Sequence, residues 1–447
     1  MSRLQLDRYQ AAVNGISPFP VYGHVTNVLG LVIEGYCADA PVGATCEIFS
    51  LDHRNSCLAE VIGFKDDKVV LMLLGELQGI GLGSAIALKN SAATVKVGPQ
   101  MLGRVLDGLA NPIDGGIPLE CEEEFSIYSS PINPLKRARI SEPLDLGIRA
   151  VNGLLTIGKG QRVGIIAGSG VGKSVLLGMM ARSTQADVNV IALIGERGRE
   201  VREFIEKDLG SESLSRSIIV CATSDVSPVV RMRAVFVAAT IAEYFRREGK
   251  NVLFMMDSIT RFAMAQREVG LSAGEPPTTK GYPPSVFTKL PIIFERAGNT
   301  SSGGSITGLY TVLVEADDIN DPIGDAVRSI ADGHMVLSRK LAARNHYPAI
   351  DIPVSASRVM GDVVSKEHKE LSGRMKAIIA NYAEAEDLIN IGAYVKGSNP
   401  NVDEAIQFIE PIRAFLRQNV ELKVNLAETV AQMRNIFQTQ TQAQGRR

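Results

Sequence analysis

The stretch IIAGSGVGKSVLL, residues 165–177, is the segment that decides the fold. It departs at one position from the phosphate-binding pattern G-x-x-x-x-G-K-[ST], because Ala167 stands where the pattern has a glycine. A methyl group at the edge of such a loop is tolerated when the backbone φ of that residue is negative. A strand pattern precedes the stretch and a helix pattern follows it, which is the context that the motif requires. The sequence therefore predicts a working nucleotide-binding loop.

This loop offers backbone amides, one ammonium group and one hydroxyl group to a bound triphosphate. Its glycines let the backbone turn tightly and aim N–H groups inward, and the helix that follows directs its positive end at the anion. Lys173 adds a positive charge for the β and γ phosphates, and Ser174 offers its hydroxyl to Mg²⁺. The predicted ligands are therefore a nucleotide and Mg²⁺. The predicted nucleotide-binding residues of the loop are Gly168, Ser169, Gly170, Val171, Gly172, Lys173, Ser174 and Val175.

Length and composition limit the class of protein. A chain of 447 residues is too long for one compact core, which favours two or three domains. A formal net charge of −2 gives no electrostatic basis for binding bulk nucleic acid. Five cysteines without a C-x-x-C spacing are typical of reduced thiols. The apolar runs are shorter than the ~18 residues that a bilayer span needs, so we expect a cytoplasmic protein.

The chain divides by pattern into three segments. Residues 1–96 show short β-type runs separated by turns, and the KDD turn at residues 65–67 predicts a hairpin; this spacing is typical of a small closed β-barrel. Residues 97–361 alternate apolar strand runs with helix-length segments, which predicts an α/β domain with a mostly parallel sheet. Residues 362–447 keep only helical periodicity and predict a helical C-terminal domain.

Two carboxylates are placed to act on a bound nucleotide. Asp257 ends the apolar run in FMMDS, where a nucleotide-binding sheet presents a carboxylate to the Mg²⁺ shell. Glu196, in LIGERGRE, falls just past a second strand run, at the sheet edge where ligands bind. A carboxylate there can polarise the water that attacks the γ phosphate. Four charges in five positions also fit a solvated helix start, so the spacing alone leaves both interpretations of Glu196 open.

Arg358 and Tyr347 are candidates that also have ordinary structural explanations. Arg358 follows a strand run in PVSASRVM, and its guanidinium could stabilise the transition state at the γ phosphate of a neighbouring subunit. An arginine at a strand end that binds a carboxylate is the commoner case on spacing alone. Tyr347, in NHYPAID, could stack on adenine or serve as a core tyrosine before a proline turn. The Pro- and Gly-rich loop at residues 274–287 predicts a contact-making surface.

Long motifs outside the loop carry a family resemblance over nearly the whole chain. They include GRVLDGLANPID, ISEPLDLGIRAVNGLLTIGKGQRVGIIAGSGVGKS, GERGREV, MMDSITRFAMAQREV, ADDINDPI and PAIDIPVSASR. With them the chain resembles the hexameric ATPases related to the catalytic subunits of rotary ATP synthases. MARSTQADVNVIALIGERGREVREFIE, GEPPTTKGYPPSVFTKLP and IGAYVKGSNPNVDEAI are most similar to the ATPases of type III export systems. KGYPPSVF and GAYVKGS resemble the flagellar branch more than the virulence-injectisome branch.

This resemblance implies a catalytic role for four residues. Lys173 would act on the phosphates, Glu196 would activate the attacking water, and Arg197 would lie beside it. Arg358 would be an arginine finger that acts in trans on the neighbouring subunit. These roles come from the matched motifs, whereas the spacing alone leaves Glu196 undecided and favours an ordinary structural role for Arg358.

The resemblance also implies the ligands of the nucleotide and the metal. Ser174 and Asp257 would hold Mg²⁺, partly through water, and Tyr347 would be the adenine platform. Ala167 is normal for this family, in agreement with the steric argument. Rotary catalytic subunits have further aromatic residues near the adenine, and Phe415 matches them too loosely to be assigned.

The implied architecture is an N-terminal barrel, a central RecA-like P-loop domain and a C-terminal helical domain, assembled as a homohexamer. The implied partners are a stator-like regulatory protein at the N-terminal segment, a central stalk protein in the pore, the export gate and chaperone–substrate complexes. The Pro- and Gly-rich loop at residues 274–287 would face the pore or the stalk. We expect peripheral association with the inner membrane through the export apparatus.

The function that the resemblance implies is an ATP-hydrolysing motor of a type III export apparatus, of the flagellar branch, which drives chaperone release and export. A virulence-injectisome ATPase is the alternative. A rotary synthase subunit is disfavoured by GERGREV and GYPPSVF, and a non-enzymatic subunit by the presence of Lys173, Glu196 and Arg358. A Rho-like RNA helicase would have a basic site studded with aromatics in its N-terminal barrel, whereas the aromatics of this region do not cluster with Arg or Lys.

Overall fold

The computed structural model describes residues 22–76, 78–301, 303–314 and 321–444. The chain forms two compact units: one holds the described residues up to Thr94 together with Val269–Glu275, and the other holds the remaining described residues. The N-terminal segment that was predicted to dock a regulatory protein precedes residue 22 and lies outside the described residues. The predicted boundary near Gly361 falls inside the second unit and stays a prediction.

The first unit contains a closed six-stranded barrel with the strand order β1-β2-β5-β4-β3-β6, as the sequence predicted. Its strands are β1 (Tyr22–Leu29), β2 (Val32–Tyr36), β3 (Thr45–Phe49), β4 (Ser56–Lys65), β5 (Lys68–Leu73) and β6 (Ala85–Asn90). Alternate apolar residues such as Ile33, Ile48 and Leu71 point inward and are fully buried. The KDD turn does close a hairpin, because Asp66 adopts a φ of 53° and aspartate tolerates this left-handed conformation.

The second unit is built on a nine-stranded sheet. Eight of its strands follow the order β19-β18-β12-β17-β15-β13-β14-β8, and the ninth, β16, pairs with β17 off this path. The strands of this unit are β7 (Thr94–Val97), β8 (Val105–Leu106), β9 (Glu123–Ser126), β10 (Pro143–Leu144), β11 (Ile157–Gly158), β12 (Arg162–Ala167), β13 (Val188–Ile194), β14 (Ser217–Ala222), β15 (Asn251–Asp257), β16 (Gly298–Asn299), β17 (Ser305–Leu313), β18 (Gly333–Leu337) and β19 (Ala356–Ser357). From β8 to β18 the neighbours along this path are parallel, and β19 pairs antiparallel at the edge. The mostly parallel sheet is confirmed.

Thirteen α-helices are found in the described part of the chain. They are α1 (Arg149–Leu154), α2 (Lys173–Ser183), α3 (Gly198–Glu203), α4 (Gly210–Leu214), α5 (Pro228–Arg247), α6 (Ile259–Ser272), α7 (Pro284–Glu295), α8 (Pro322–Ile330), α9 (Arg339–Ala343), α10 (Met360–Val363), α11 (Lys366–Asn390), α12 (Pro400–Leu416) and α13 (Leu426–Gln444). Within these described segments, none of the helices is both long enough and apolar enough to cross a membrane.

Parallel pairing explains why the central strands are uninterrupted apolar runs. Strand β13 is buried at every position, and β12 and β15 are buried at all but their first residues. Helices cover both faces of a parallel sheet, so its strands need apolar side chains on both sides. The register places Ala167 opposite both Leu313 and Leu337, and Leu193 opposite Asp257. The carboxyl ends of these strands therefore meet along one edge, where ligands bind in such sheets.

The C-terminal helices pack on the same core as the sheet. Met375 and Ile378 on α11, Ile412 on α12 and Met433 on α13 belong to one buried cluster with Leu154 on α1. Gly153 allows this packing, because a Cβ at that position would lie 3.0 Å from the sulfur of Met433. The predicted helical C-terminal region is therefore confirmed as a layer that shares the core of the sheet.

Candidate active site

The glycine-rich loop connects the end of β12 to the start of α2. Gly170 and Gly172 adopt φ values of 78° and 88°, which only glycine adopts without strain. Helix α2 begins at Lys173, so its first amides face the loop. A cavity of about 720 Å³ lies over the loop. Of the predicted loop residues, its lining includes Gly168, Ser169, Gly170, Gly172, Lys173, Ser174 and Val175, whereas Val171 is buried beneath.

Ala167 causes no distortion, because it is the last residue of strand β12 and is fully buried. Its backbone is paired with β17 and β18, and the described non-glycine residues with positive φ do not include it. The condition stated for an alanine at this position, a negative φ, is therefore met.

The side chain of Lys173 lies between two carboxylates. Its Nζ donates to Asp257 Oδ1, and it lies 3.5 Å from Glu196 Oε1. Asp257 also accepts a hydrogen bond of 2.7 Å from Thr311 Oγ1 on β17. All three charged side chains are mostly buried, with 11% of Lys173, 15% of Glu196 and 4% of Asp257 exposed. The fold thus brings together three predicted residues that are separated by up to 84 positions in the chain.

This arrangement shifts the pKa of two of its groups. Burial, reinforced by the negative charge of Asp257, raises the pKa of Glu196 to about 7, although Lys173 acts in the opposite direction. Burial alone would lower the pKa of Lys173, but the charges of Asp257 and Glu196 outweigh it and raise that pKa above its ordinary value. Lys173 is therefore charged at neutral pH, and Glu196 titrates near neutrality, which suits a general base.

The turn after β13 positions Glu196 and Arg197. Gly195 adopts a φ of 69°, so the chain reverses at the end of the strand and turns Glu196 toward Lys173. Arg197 is the N-cap residue of α3 and is 83% exposed. Its guanidinium lies 3.9 Å from Glu200, and both residues line the main cavity. Arg197 therefore borders the site beside Glu196 but does not touch Lys173 or Asp257 in this structure.

Tyr347 lies on the other side of the loop. Its ring packs against Gly172, where a Cβ would lie 3.5 Å from two ring carbons. A second cavity, of about 340 Å³, is lined by Tyr347, Val171, Val175, Gln418 and Val420. Tyr347 is 40% exposed, so part of the residue is accessible to a ligand.

The C-terminal wall of this second cavity is made by residues that the sequence analysis did not identify. Gln418 donates its backbone N–H to the carbonyl oxygen of Tyr347 at 2.9 Å, and its side chain bonds Gly147 and Leu422. Phe415, the aromatic considered from sequence, instead packs in the core near Gly153 and under Arg149. The wall is thus formed by Gln418 and Val420, an amide and an aliphatic residue. A search of the sequence for aromatic residues could not identify them.

The lining residues of the main cavity that were missed include Thr260, Arg261 and Arg339. Thr260 and Arg261 stand in the first turn of α6, which begins two residues after Asp257. The Nε atom of Arg261 is buried without a hydrogen-bond partner among the described residues. The signal was available in MMDSITRF, because a helix that starts directly after a strand-end aspartate puts its first turn beside the ligand.

Arg358 does not reach the loop of its own chain. It follows β19, whose Ser357 pairs with Gly333, the first residue of β18. The loop lies at the other end of β18, beyond Leu337, which is about 13 Å further along the strand. Arg358 is exposed, and its Nη2 donates to the carbonyl oxygen of Arg328 at 3.1 Å. The guanidinium therefore lies near the opposite end of β18 from the loop that carries its own Lys173.

The oxygen donors at the site suit Mg²⁺ held jointly with a nucleotide. Ser174 is exposed on the cavity wall. Asp257, at the end of strand β15, contacts Lys173. Among the described residues, no cluster of three or more His, Cys, Asp or Glu side chains could hold a metal ion. One hydroxyl and one carboxylate are few protein ligands for a metal ion. They suit Mg²⁺, because this ion keeps several water ligands and also binds substrate phosphates.

A glycine-rich loop between β12 and α2, with a buried lysine between two strand-end carboxylates, defines a P-loop nucleoside triphosphatase. Two family models match the chain. The ATP synthase alpha/beta family, nucleotide-binding domain, matches residues 147–357, and the T3SS EscN ATPase C-terminal domain matches residues 364–435.

Relatives match along nearly the full chain. The flagellum-specific ATP synthase of Pseudomonas aeruginosa is 50% identical over 436 residues, which are 97% of each chain. The flagellum-specific ATP synthase of Bacillus subtilis is 49% identical over 93% of this chain and 95% of the relative. The type 3 secretion system ATPase of Xanthomonas euvesicatoria is 50% identical over 89% of this chain and 90% of the relative.

Solved structures agree with the sequence relatives. The assembled ATPase EscN from the type III secretion system of enteropathogenic E. coli matches with a TM-score of 0.88 and 46% identity, over 93% of this chain and 99% of that chain. EscN in complex with its central stalk EscO matches with a TM-score of 0.86 and 45% identity, with the same coverage. The chain therefore belongs to the flagellar and type III secretion ATPases of the ATP synthase alpha/beta family, and it hydrolyses ATP.

Proposed function

We propose that the chain is the ATP-hydrolysing motor of a flagellar protein export apparatus, where it drives chaperone release and substrate export. The observation that supports this most is the near-complete match, at 47–50% identity, to flagellum-specific ATP synthases of three bacteria. The flagellar-type motifs KGYPPSVF and GAYVKGS point the same way. Its three working parts would be residues 1–96, 97–361 and 362–447.

A deletion in the source organism tests this proposal. Loss of the gene should abolish external flagellar filaments and swimming, and the wild-type gene supplied in trans should restore both. The matched control is a gene that encodes the Lys173→Ala variant, which should not restore them. The injectisome alternative draws on the 50% identity to the Xanthomonas secretion ATPase. Normal filaments together with lost secretion of effector proteins would contradict the flagellar assignment.

In the proposed mechanism Lys173 binds the β and γ phosphates, and Ser174 and Asp257 would hold Mg²⁺, which would neutralise charge on the phosphates. The phosphates attract the ammonium group away from the two carboxylates that it now contacts. Without the ammonium beside it Glu196 becomes a stronger base, because Lys173 holds its pKa down; in its ionised form it orients a water at the cavity edge and accepts its proton. Arg197 and Arg261 border the same cavity and add positive charge around the phosphates.

The pH dependence of hydrolysis should report Glu196. A protonated carboxyl cannot accept a proton from water, so kcat/KM should fall about tenfold per pH unit as the pH drops below about 7. Glu196→Gln should lower kcat by about 10²- to 10⁴-fold while ADP still binds. The control is Glu203→Gln on α3, which alters a carboxylate paired with Arg199. A flat profile from about pH 5.5 to about pH 8 would contradict the base assignment.

Tyr347 should determine adenine affinity. Tyr347→Ala removes the stacking face and should weaken ADP binding about tenfold, because stacking of a base on an aromatic side chain contributes roughly 1–3 kcal/mol. Tyr347→Phe keeps the ring and should bind ADP as the wild type does. Titration of each variant with ADP by calorimetry measures both. Unchanged affinity in the alanine variant would remove Tyr347 from the nucleotide site.

We further propose that the chain works as a homohexamer in which Arg358 completes the site of the next subunit. The support is the exposed position of Arg358, about 13 Å along β18 from its own loop. The related EscN was solved as an assembled ATPase and with a central stalk. A stalk protein is accordingly the partner we expect at the loop of residues 274–287, within which Tyr282 is buried and Lys280 adopts a φ of 48°.

The remaining partners are proposed on the family resemblance alone. They are a stator-like regulatory protein at the N-terminal segment, which lies outside the described residues, the export gate and chaperone–substrate complexes. Through them the protein would stay in the cytoplasm and associate peripherally with the inner membrane.

A further inference from the structure

A third cavity, of about 170 Å³, lies behind the adenine platform. We call it the rear pocket, and define it by His346, Ile350, Tyr382, Glu386, Ile409 and Arg413. It lies entirely within the second compact unit, between the segment that follows α9 and the helices α11 and α12. None of the residues that define it has a role in the hydrolysis mechanism above.

The rear pocket and the adenine cavity share one wall. Along the chain, His346 and Ile350 line the rear pocket, whereas Tyr347, Pro348 and Ala349 between them line the adenine cavity. The second layer of the wall repeats this division, because Leu416 faces the rear pocket and Gln418 faces the adenine cavity. The two layers are joined by the 2.9 Å hydrogen bond from Gln418 N–H to Tyr347 carbonyl oxygen.

The lining of the rear pocket holds more cations than carboxylates; Glu410, which pairs with Arg413 at 2.8 Å, is mostly exposed and lies outside the lining. Lys340, Arg344 and Arg413 all lie within 3.5 Å of Glu386. Asp351 is the other carboxylate in the lining, so three cations face two carboxylates. The rim therefore favours an anionic group.

The interior of the rear pocket is apolar apart from one imidazole. His346 is 5% exposed and its ring forms no hydrogen bond with any described residue. Burial, helped by Arg417 and Arg413, lowers the pKa of His346 to about 4, so the ring is neutral at pH 7 and can both donate and accept. The ring therefore offers an unpaired donor and acceptor at the lining of the pocket. A ligand with a hydroxyl group would form a hydrogen bond with it.

Volume sets the size of that ligand. A cavity of about 150 Å³ holds one benzene molecule in another protein, so 170 Å³ accommodates a body of about one ring. We propose that the rear pocket is a second ligand site, which binds a small organic acid with a single-ring apolar body, a carboxylate at the cationic rim and a hydroxyl group at His346. This site regulates the nucleotide site through the shared wall, a part of the proposal that rests on Tyr347 being the adenine platform.

The coupling should strengthen nucleotide binding. A ring packed behind His346 and Ile350 holds the segment that carries Tyr347. The entropy cost of ordering this segment on nucleotide binding is therefore smaller. We expect the probe to tighten ADP binding about fivefold, and ADP to tighten probe binding by the same factor.

The test uses the full-length chain and 4-hydroxyphenylacetate as the probe, titrated by calorimetry. We expect one saturable site. Phenylacetate, which lacks the hydroxyl, and 4-methylphenol, which lacks the carboxylate, should each bind about tenfold more weakly, which corresponds to the loss of one hydrogen bond or ion pair at a buried site. His346→Leu should weaken the probe by the same factor and leave phenylacetate unchanged.

Ala383→Phe serves as the blocking variant, because Ala383 is an exposed residue on α11 at the mouth of the pocket. It should abolish probe binding and leave ADP binding and the thermal unfolding midpoint unchanged. The absence of a saturable isotherm at millimolar probe would overturn the proposal, as would equal probe binding by Ala383→Phe. Probe binding without any change in ADP affinity would overturn the coupling. If Tyr347→Ala binds ADP normally, the assignment of Tyr347 as the adenine platform is wrong. The probe titration still tests separately whether the rear pocket binds a ligand.

Discussion

Replacement of Lys173 by alanine should reduce steady-state ATP hydrolysis by about 10³-fold, because one charge-stabilising donor at a reacting phosphate contributes on this scale. The loss has a second cause in this structure. Lys173 is the cation that contacts both Asp257 and Glu196, so its removal leaves two buried carboxylates with uncompensated charge. These carboxylates would repel the incoming triphosphate, and we expect weaker ATP binding as well as a lower kcat. Phosphate release and nucleotide titration measure the two effects.

The matched control for this variant is Lys366→Ala. The Lys366 side chain is 91% exposed at the start of α11 and forms only a weak pair with Glu370 at 4.0 Å. It should hydrolyse ATP as the wild type does. A thermal unfolding scan of both variants separates loss of catalysis from loss of fold. Turnover near the wild-type level in a folded Lys173→Ala protein would refute the loop assignment.

Replacement of Arg358 by alanine should remove the hydrolysis gained on assembly, by about 10³-fold or more, as for other arginine fingers supplied in trans. Nucleotide binding by the separate subunit should stay unchanged, because Arg358 is exposed and lies about 13 Å along β18 from its own loop. The control is Arg139→Ala, an 81% exposed arginine that pairs only loosely with Asp362, at 3.5 Å. Comparison of ADP affinity and of hydrolysis as a function of protein concentration separates these effects.

Mixed rings test the trans role directly. Lys173→Ala subunits have no working loop but supply Arg358, whereas Arg358→Ala subunits have a working loop but no finger. Equal mixing of the two inactive variants should create complete sites at roughly a quarter of the interfaces, because each head-to-tail contact pairs two subunits at random. Activity should therefore return on mixing. If the mixture stays as inactive as its components while rings still form, Arg358 does not act in trans.

Local patterns were sufficient to predict the loop and the class of fold. The glycines at 170 and 172 are required by left-handed φ values, and those residues can be recognised without any tertiary information. The hairpin at Asp66, the barrel strands and the buried parallel strands likewise follow from turn chemistry and apolar runs. Each of these features is fixed by residues that are near one another in the chain.

Contacts between segments that are distant in the chain could not be predicted from the sequence. Glu196 had two equal interpretations because a charged run after a strand fits either a solvated helix or a base. Only the packing of β13 beside β15 shows that it faces Lys173 and Asp257. Gln418 was missed for the same reason, since its approach to Tyr347 depends on how α12 ends against the sheet. Phe415 would have been a wrong choice, because it points into the core.

The sequence by itself determined that this chain binds a nucleotide in a loop between a buried strand and a helix, and its long motifs determined the family. The tertiary structure decided the pKa of Glu196 and the position of Arg358 relative to the loop. Burial and the neighbouring Asp257 raise the pKa of Glu196 to about 7, and strand register places Arg358 near the opposite end of β18 from its own loop. Both effects depend on distances and exclusion of water, which arise only when strands far apart in the chain lie side by side.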